Sequence, residues 1–374
     1  MSEHLVPELR FGEFNGDWSR ELLEKCAVVG NGRDYKHLGP GPVPVFGTGG
    51  LMTTVSDALS FKDAVGVGRK GTIDKPYVLR APFWTVDTLF FVTPKAKVDT
   101  QFLFGNCLRI DWKSKAESTG VPSLSKTAIE QTMIAVTGIV EQRKVGTLLS
   151  DVNATLSQHE RKHRQLQQAK ASLMQRMFPA PGANEPEIRF EGFSGKWEQR
   201  RLGDVATFIN GRAYSQPELL SHGKYPVLRV GNFYTNSAWY YSDLELNEKF
   251  YANTGDLLYT WSASFGPHIW TGGKVIFHYH IWRVELSNAL DKLFVLQLLE
   301  KHRDSILAGH NGSTMAHITK EGMEDKSVLL APSVAEQQAV GAFFAKLDDL
   351  IEAQAQYVSK LQQVKSALLQ KMFV

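Results

Sequence analysis

The chain repeats its own beginning and its own end, with two different offsets. Phe14-Asn-Gly-Asp-Trp18 returns 179 residues later as Phe193-Ser-Gly-Lys-Trp197. The closing segment Leu166–Phe178 returns 195 residues later as Leu361–Phe373. Both ends therefore recur, while the middles differ in sequence and in length. This pattern predicts one constant frame that holds two different inserts.

Each half closes with a long segment that contains no proline. These segments run from Thr137 to Phe178 and from Ser333 to Val374, and prolines stand just outside them, which is typical of helices. Helices of about 35–40 residues would be roughly 50–60 Å long. Ser333 and Glu336 also fit a capping box at the start of the second helix.

Apolar residues recur in both helices at alternating steps of four and three, as in a coiled-coil seam. Because neither helix covers its own seam, we expect the two helices to pack on each other. His159 and His163 interrupt the first seam one turn apart, and they could form a polar layer that fixes the register or bind a metal. The apolar seam residues are Val145, Leu149, Val152, Leu156, Leu166 and Leu173 in the first helix, and Val340, Phe344, Leu347, Ile351, Val358, Leu361 and Leu368 in the second.

The middle of each half alternates short apolar runs with turns rich in Gly, Pro, Asn and Asp. Runs such as Val43–Phe46, Ala64–Val67 and Tyr225–Leu228 predict strands, and Leu290–Leu307 predicts a helix. The fold class is therefore mixed α/β, rich in β structure and present in two copies. We expect four parts, which are a globular domain over 1–135, a central helix over 136–180, a second globular domain over 181–331 and a closing helix over 332–374.

The composition narrows the functional classes. Hydrophobic residues make up 43% of the 374 and the formal net charge is only +3, which indicates a core-forming protein without a strongly basic tail. Two cysteines are too few for a disulfide framework and suit a reducing compartment. The sequence shows no signal peptide and no membrane-spanning run, so we expect a cytoplasmic protein.

Loops with glycine interrupt the predicted strands in both middles. Gly68-Arg-Lys-Gly-Thr72 and Gly47-Thr-Gly-Gly50 have approximate counterparts in Thr260–Ser264 and Arg229–Phe233. Such loops can form tight turns at strand ends, or they can bring side chains close to phosphates and base edges. His278-Tyr-His280 places two histidines on one face of a predicted strand, for packing, nucleic-acid contact or metal binding.

Signatures of catalysis are missing. The chain has no phosphate-binding Gly-x-x-x-x-Gly-Lys-Ser/Thr loop, no Gly-x-Ser-x-Gly elbow and no His-Glu-x-x-His pair. It also has no Asn/Asp-Pro-Pro-aromatic stretch of the kind that amino-methyltransferases use. The sequence therefore indicates a binding protein and no enzyme.

With these motifs in their order, the chain resembles the specificity subunit of type I restriction–modification systems over its whole length. The resemblance rests on the duplicated Phe-x-Gly-x-Trp openings and on Gly120-Val-Pro-Ser-Leu-Ser125 before the first helix. It also rests on the Glu-Gln-x-x-Val-Gly helix starts at Glu141 and Glu336, and on the two Met-Phe ends.

The resemblance implies two target-recognition domains, each of which reads half of a bipartite DNA site. The two helices would pair antiparallel as a spacer and give the chain a pseudo-two-fold axis. Partners would be double-stranded DNA, two methyltransferase subunits and a restriction subunit. The chain itself would need no cofactor, because S-adenosylmethionine, and ATP with Mg²⁺, would bind to the partners.

We expect the DNA contacts in the glycine-bearing loops, since Arg and Lys suit guanine and phosphate, and Asn suits adenine. Two alternatives remain, which are a coiled-coil adaptor without DNA contact and the recognition subunit of another restriction class. The candidate DNA-binding residues are Thr48, Arg69, Lys70 and Thr72 in the first domain, and Arg229, Asn232, Trp261, Ser262, His278, Asn311, Ser313 and Thr314 in the second.

Overall fold

The structure, a computed structural model, describes residues 5–117, 120–234, 236–262, 264–308 and 319–374. The chain divides into two compact units. Unit 1 comprises residues 1–162 and 354–374, and unit 2 comprises residues 163–353. The division falls inside both long helices, so each of these helices contributes residues to both units.

In the described part of unit 1 there are nine short strands, the first part of one long helix and the last part of the other. Its strands β1, β2, β3 and β4 are Ser19–Leu22, Ala27–Asn31, Val43–Gly47 and Gly50–Val55. β5, β6 and β7 are Ala64–Gly68, Tyr77–Leu79 and Trp84–Thr85, and β8 and β9 are Leu89–Pro94 and Met133–Val136. Its helices α1, α2, α3 and α4 are Leu23–Cys26, Thr100–Arg109, Lys126–Glu130 and Ile139–Met177.

These strands form three small sheets. β2-β8-β5-β6 and β4-β3-β7 form the four-stranded and the three-stranded sheet, and β1 pairs with β9. The fully buried strand Ala64–Gly68 packs beside α2, whose first turn is capped by the side chain of Asp99. The short apolar runs that predicted these strands are thus explained by burial of one or both faces.

Among the residues of unit 2 that the structure describes there are ten short strands, the end of the first long helix and the start of the second. Its strands β10, β11, β12, β13 and β14 are Glu198–Arg201, Ala206–Asn210, Tyr225–Leu228, Tyr240–Ser242 and Tyr251–Ala252. β15 to β19 are Leu257–Ser262, Ser264–Ile269, Val275–Phe277, Ile281–Leu286 and Ser327–Leu330. Its helices α5, α6, α7 and α8 are Leu202–Val205, Lys292–Ala308, Lys320–Glu324 and Val334–Lys371.

The sheets of unit 2 follow a plan similar to that of unit 1. They are β11-β18-β15-β16 and β13-β12-β17-β14, and β10 pairs with β19. In both units one strand pair is parallel, β3 with β7 and β12 with β17. The expected class, mixed α/β, β-rich and duplicated, is confirmed.

Within each unit, segments of α4 and α8 run antiparallel. In unit 1, Leu149 shares a cluster with Phe373, and ten residues further along α4 the ring Nδ1 of His159 accepts a 2.8 Å hydrogen bond from Gln354 Nε2. In unit 2, Lys170 Nζ donates to Asp348 Oδ1 at 2.5 Å. All thirteen seam residues are buried or half-buried. His159 thus faces a polar partner, as a register-fixing layer requires.

The Met-Phe end of each long helix packs into the aromatic core of one unit. Phe373 stacks on Phe102 with ring centroids 5.2 Å apart, and Trp18 meets Phe102 edge-on at 5.3 Å. In unit 2, Phe178 stacks on Phe294 at 5.5 Å, and Trp197 meets Phe294 at 5.5 Å. Each unit therefore joins the opening motif of one half to the closing motif of the other half.

The capping box expected at the second helix forms only in part. The backbone N–H of Glu336 donates to Ser333 Oγ at 3.2 Å, as expected. The carboxylate of Glu336 does not return to the cap, since it accepts from Arg189 and Trp197 instead. A half-buried cation and an indole outcompete a backbone amide for this carboxylate, because hydrogen bonds to charged groups are the stronger ones.

Candidate nucleic-acid interface

Three strands of unit 1 reach one edge at the same level. Asn31, the last residue of β2, pairs with Phe90, and Gly68, the last residue of β5, pairs with the first residue of β8. β3 ends at the same place, because Phe46 pairs with Thr85 just before β8. Loops that follow these strand ends therefore gather at one edge, which we call edge 1.

Four of the sequence-predicted residues lie at edge 1. Arg69, Lys70 and Thr72 follow β5 and are exposed, and Thr48 lies half-buried in the turn between β3 and β4. The guanidinium of Arg69 lies 5.8 Å from the ring centroid of Phe90. The remaining surface of this guanidinium is open to a ligand.

Unit 2 has a matching edge, which we call edge 2. Asn210, the last residue of β11, pairs with Trp282, and Thr260 of β15 pairs with the first residue of β18. β12 ends beside them, because Leu228 pairs with Phe277. Four predicted residues gather here, namely Arg229 after β12, Trp261 and Ser262 at the end of β15, and His278 after β17.

The pairing registers make Arg69 and Trp261 equivalent. Arg69 N donates to Thr88 O at 2.7 Å, and Trp261 N donates to His280 O at 3.1 Å. The side chain of Arg69 lies over Phe90, and Trp261 stacks at 5.6 Å on Trp282, which occupies the position of Phe90. The same place in the frame thus carries a guanidinium in unit 1 and an indole in unit 2.

Two candidates of unit 2 are constrained by their surroundings. The side-chain amide of Asn232 donates to Asn236 O at 3.2 Å and to Ala238 O at 3.0 Å, which closes its own loop. Ser262 is only 5% exposed. A base contact by Asn232 or Ser262 stays a prediction, and it would require these groups to be released.

The two histidines do not lie on a strand as expected. β18 begins at Ile281, so His278 and His280 lie in the turn that precedes it, with ring centroids 4.9 Å apart. Burial, with the charges of His280 and Arg229, lowers the pKa of His278 to about 4. At neutral pH this imidazole is therefore neutral, with one donor and one acceptor. Across 5–308 and 319–374, apart from the short gaps, no cluster of three metal-ligating side chains occurs.

Arg229 has a fixed place beside an aromatic ring. Its guanidinium carbon lies 4.2 Å from the ring centroid of Tyr240, which is a favourable cation–π distance. Its backbone N–H donates to Asn232 Oδ1 at 3.0 Å. The remaining candidates, Asn311, Ser313 and Thr314, lie outside the described residues.

Sequence reasoning missed one pair of residues at these edges, Arg33 and Arg212. Each follows an Asn-Gly pair at the end of β2 or β11, and the repeat at an offset of 179 residues contains both. A Cβ on Gly32 would lie 1.9 Å from Val86 O, and one on Gly211 would lie 2.4 Å from His278 O. Only glycine allows this close passage, so the repeated Asn-Gly-Arg was a signal for the edge.

Comparisons with known proteins agree with this architecture. Residues 194–363 match the family model of the type I restriction modification DNA specificity domain. The type I restriction enzyme MjaVIII specificity subunit of Methanocaldococcus jannaschii is 21% identical over 285 residues, and the alignment covers 69% of this chain and 65% of that relative, just under two thirds of its length. Among the described residues, no helix is long and apolar enough to cross a membrane.

Two solved structures share the fold. The S subunit of a type I restriction–modification system from M. genitalium matches with a TM-score of 0.73 and 15% identity, over 99% of each chain. A structure that describes complex assembly and conformational transition of the type I restriction–modification system matches with a TM-score of 0.50 and 16% identity, over 95% of this chain and 97% of that one.

Proposed function

Because this chain belongs to the family of type I restriction–modification specificity subunits, we propose that it reads an asymmetric two-part site in double-stranded DNA and directs methyltransferase and restriction subunits to that site. One observation carries the proposal. Edge 1 and edge 2 occupy the same place in two copies of one frame, yet they present different side chains, Arg69 in one and Trp261 in the other. Two readers of different chemistry imply two different half-sites.

The candidate residues suit the two kinds of DNA contact. Arg69 and Lys70 can bind guanine edges or phosphates, and the neutral His278 can donate or accept one hydrogen bond at a base edge. Phosphate contacts would position the chain, and base contacts would select the sequence. A net charge of +3 indicates that partners supply much of the phosphate neutralisation, so the isolated chain is expected to bind DNA only weakly.

The long helices are the proposed docking surface for the partners. α8 exposes Leu350, Tyr357 and Val364, which recur every seven residues and so follow one face of the helix. An apolar stripe of this kind suits a partner helix. Two copies of the frame suit two methyltransferase subunits, and a restriction subunit would complete the nuclease.

The methylation and cleavage reactions would be catalysed by the partner subunits. The methyltransferase subunits would bind S-adenosylmethionine, and the restriction subunit would use ATP with Mg²⁺. Because its DNA substrate lies there, we place the complex in the cytoplasm.

Selection from a random duplex pool tests the proposal. The chain is assembled with its methyltransferase subunits, and bound duplexes are sequenced over several rounds. We expect two short sequences that differ from each other and are separated by a constant gap, and one base pair inserted in that gap should weaken binding. A pool that enriches no sequence, with binding that hardly depends on salt, would contradict DNA reading and support the coiled-coil adaptor.

A further inference from the structure

Arg33 and Arg69 are anchored to one short segment at edge 1. Arg33 N donates to Thr85 O at 2.8 Å, and Arg69 N donates to Thr88 O at 2.7 Å. The segment between these two anchors is a turn, because Leu89 N donates to Val86 O at 3.0 Å. Both arginines are thus anchored to the same turn, and they would contact the same half-site.

The backbone of Arg33 is held on both sides. Gly32 passes so close to Val86 that no side chain fits there, and the carbonyl of Arg33 accepts from Trp84 Nε1 at 2.9 Å. The side chain of Arg33 is nevertheless exposed. An exposed guanidinium on a fixed backbone is suited to recognition, because little of the backbone remains to be ordered on binding.

The guanidinium of Arg69 is also exposed and only lightly held. Its Nη1 lies 3.4 Å from Asp87 O, at the long end of hydrogen-bond distances, and its ring contact with Phe90 leaves the fork of donors accessible. Two exposed lysines, Lys36 and Lys70, add to the positive charge of edge 1. The exposed Asp34 and Asp87 offset part of it. Edge 1 therefore carries a net excess of basic side chains.

The equivalent positions of unit 2 lack this arrangement. Arg212 N donates to Phe277 O at 3.1 Å, in the place that corresponds to Arg33. Its guanidinium, however, donates to Glu218 Oε1 at 2.6 Å, and this ion pair is about three-quarters buried on the glutamate side. The position of Arg69 holds Trp261, whose indole Nε1 donates to Tyr279 O at 2.9 Å.

We infer that Arg33 and Arg69 together read G·C pairs in the half-site of unit 1, whereas unit 2 reads its half-site without guanidinium contacts at these two positions. Arginine binds the O6 and N7 acceptors of guanine through two parallel hydrogen bonds, and only this base pair offers that pair of acceptors in the major groove. The inference rests on the proposed function and names the chemical class of one half-site.

Sequencing of methylated bases in cells tests it with single substitutions. Arg33→Ala is expected to relax one G·C position in one half-site, with about fivefold or greater loss of discrimination there, and to leave the other half-site unchanged. Arg69→Ala should relax another position of the same half-site. Arg33→Lys should relax the same position as Arg33→Ala, because lysine keeps the charge but lacks the two-donor fork.

The matched controls are Arg80→Ala and Arg212→Ala. Arg80 is an exposed arginine of unit 1 that pairs with Asp63 at the opposite end of β5, so its loss should leave both half-sites unchanged. Arg212→Ala removes the equivalent arginine of unit 2 and should relax no G·C position in either half-site. Thermal unfolding of each purified variant shows whether the fold is retained.

Several results would overturn the inference. A motif unchanged by Arg33→Ala in a folded variant excludes Arg33 as a reader, and relaxation of an A·T position excludes guanine as its target. If wild-type cells show a two-part motif and only the Arg33 result fails, the proposed function stands and the inference falls. If wild-type cells show no two-part motif, both fall.

Discussion

Arg189 and Glu336 form a bidentate ion pair across 147 residues of sequence. Arg189 Nε donates to Glu336 Oε1 at 2.8 Å, and Nη2 donates to Oε2 at 2.7 Å. Arg10 and Glu141 form the same pair in unit 1, with distances of 2.7 and 2.8 Å. In both units the tryptophan of the opening motif donates its indole N–H to the same carboxylate. The repeated opening and the repeated helix start thus bind each other, which explains why they recur together.

Loss of the Glu336 charge should destabilise unit 2 strongly. Its side chain is 2% exposed and that of Arg189 is 16% exposed, so Glu336→Gln leaves a nearly buried cation without its counter-ion. A cost of about 3–5 kcal/mol is expected. Native-state hydrogen exchange at the amides of unit 2 measures this loss of stability. It is preferred to global unfolding, because a chain of two units need not unfold in a single two-state transition.

The matched control is Glu248→Gln in the same unit. Glu248 pairs with Lys274 but is 79% exposed, so its loss should cost at most about 1 kcal/mol. Equal costs for the two variants would show that the buried pair does not stabilise the frame.

Unit 1 should lose stability in acid through Glu141. Burial opposes the charged form, but hydrogen bonds from Arg10, Thr137 and Trp18 and the charge of Arg10 outweigh it, so the pKa of Glu141 lies below its ordinary value. A carboxyl whose pKa is lower in the folded than in the unfolded protein stabilises the fold at pH values above its unfolded-state pKa. This contribution disappears as the pH falls through its folded-state pKa.

We therefore expect the free energy of unfolding of unit 1 to fall as the pH drops below about 5, and to fall less in Glu141→Gln. Hydrogen exchange of unit 1 amides across this range measures the difference. Identical pH dependence in the two proteins would contradict the assignment.

Gly341 should not tolerate a side chain. A Cβ at this position would lie 2.5 Å from Phe294 N and 2.8 Å from Asp291 Oδ1, which is the cap of α6. Gly341→Ala is expected to cost about 1–3 kcal/mol in unit 2, despite the better helix propensity of alanine. Gly273→Ala is the control, since no atom lies within 4 Å of its added Cβ. A stabilised Gly341→Ala protein would refute the close approach of α8 to α6.

Phe373 should support unit 1 and have little effect on unit 2. Its ring is 3% exposed and stacks on Phe102, so Phe373→Ala should cost about 3–5 kcal/mol in unit 1. Val364→Ala, at an exposed position of the same helix, serves as the control. Hydrogen exchange measured separately for the amides of each unit shows which unit loses protection. A larger loss of protection in unit 2 than in unit 1 would contradict the packing described for the Met-Phe ends.

The frame could be predicted from sequence because its signals are local or repeated. Strands such as Tyr225–Leu228 coincide with the apolar runs that predicted them, and the helix expected over Leu290–Leu307 is Lys292–Ala308. The partner of Glu336 could not be predicted in this way. A capping box is defined within four residues, whereas Arg189 reaches Glu336 only through the tertiary fold.

The candidate site could be predicted less well. Residue type and loop position placed Arg69 and Trp261 near strand ends, but only the pairing registers showed that they occupy equivalent positions. Asn232 has the composition of a base reader, yet its amide closes its own loop. The Asn232 amide can donate either to carbonyls of its own loop or to a base. The sequence does not show which of these partners it binds, because the same N–H groups serve both.

Sequencing of modified bases in genomic DNA from strains with and without this gene tests DNA recognition most directly. We expect methylation at one motif with two different halves and a constant gap, and this methylation should disappear when the gene is removed. An unchanged methylation pattern, in a strain shown to express the partner methyltransferase, would contradict DNA recognition by this chain.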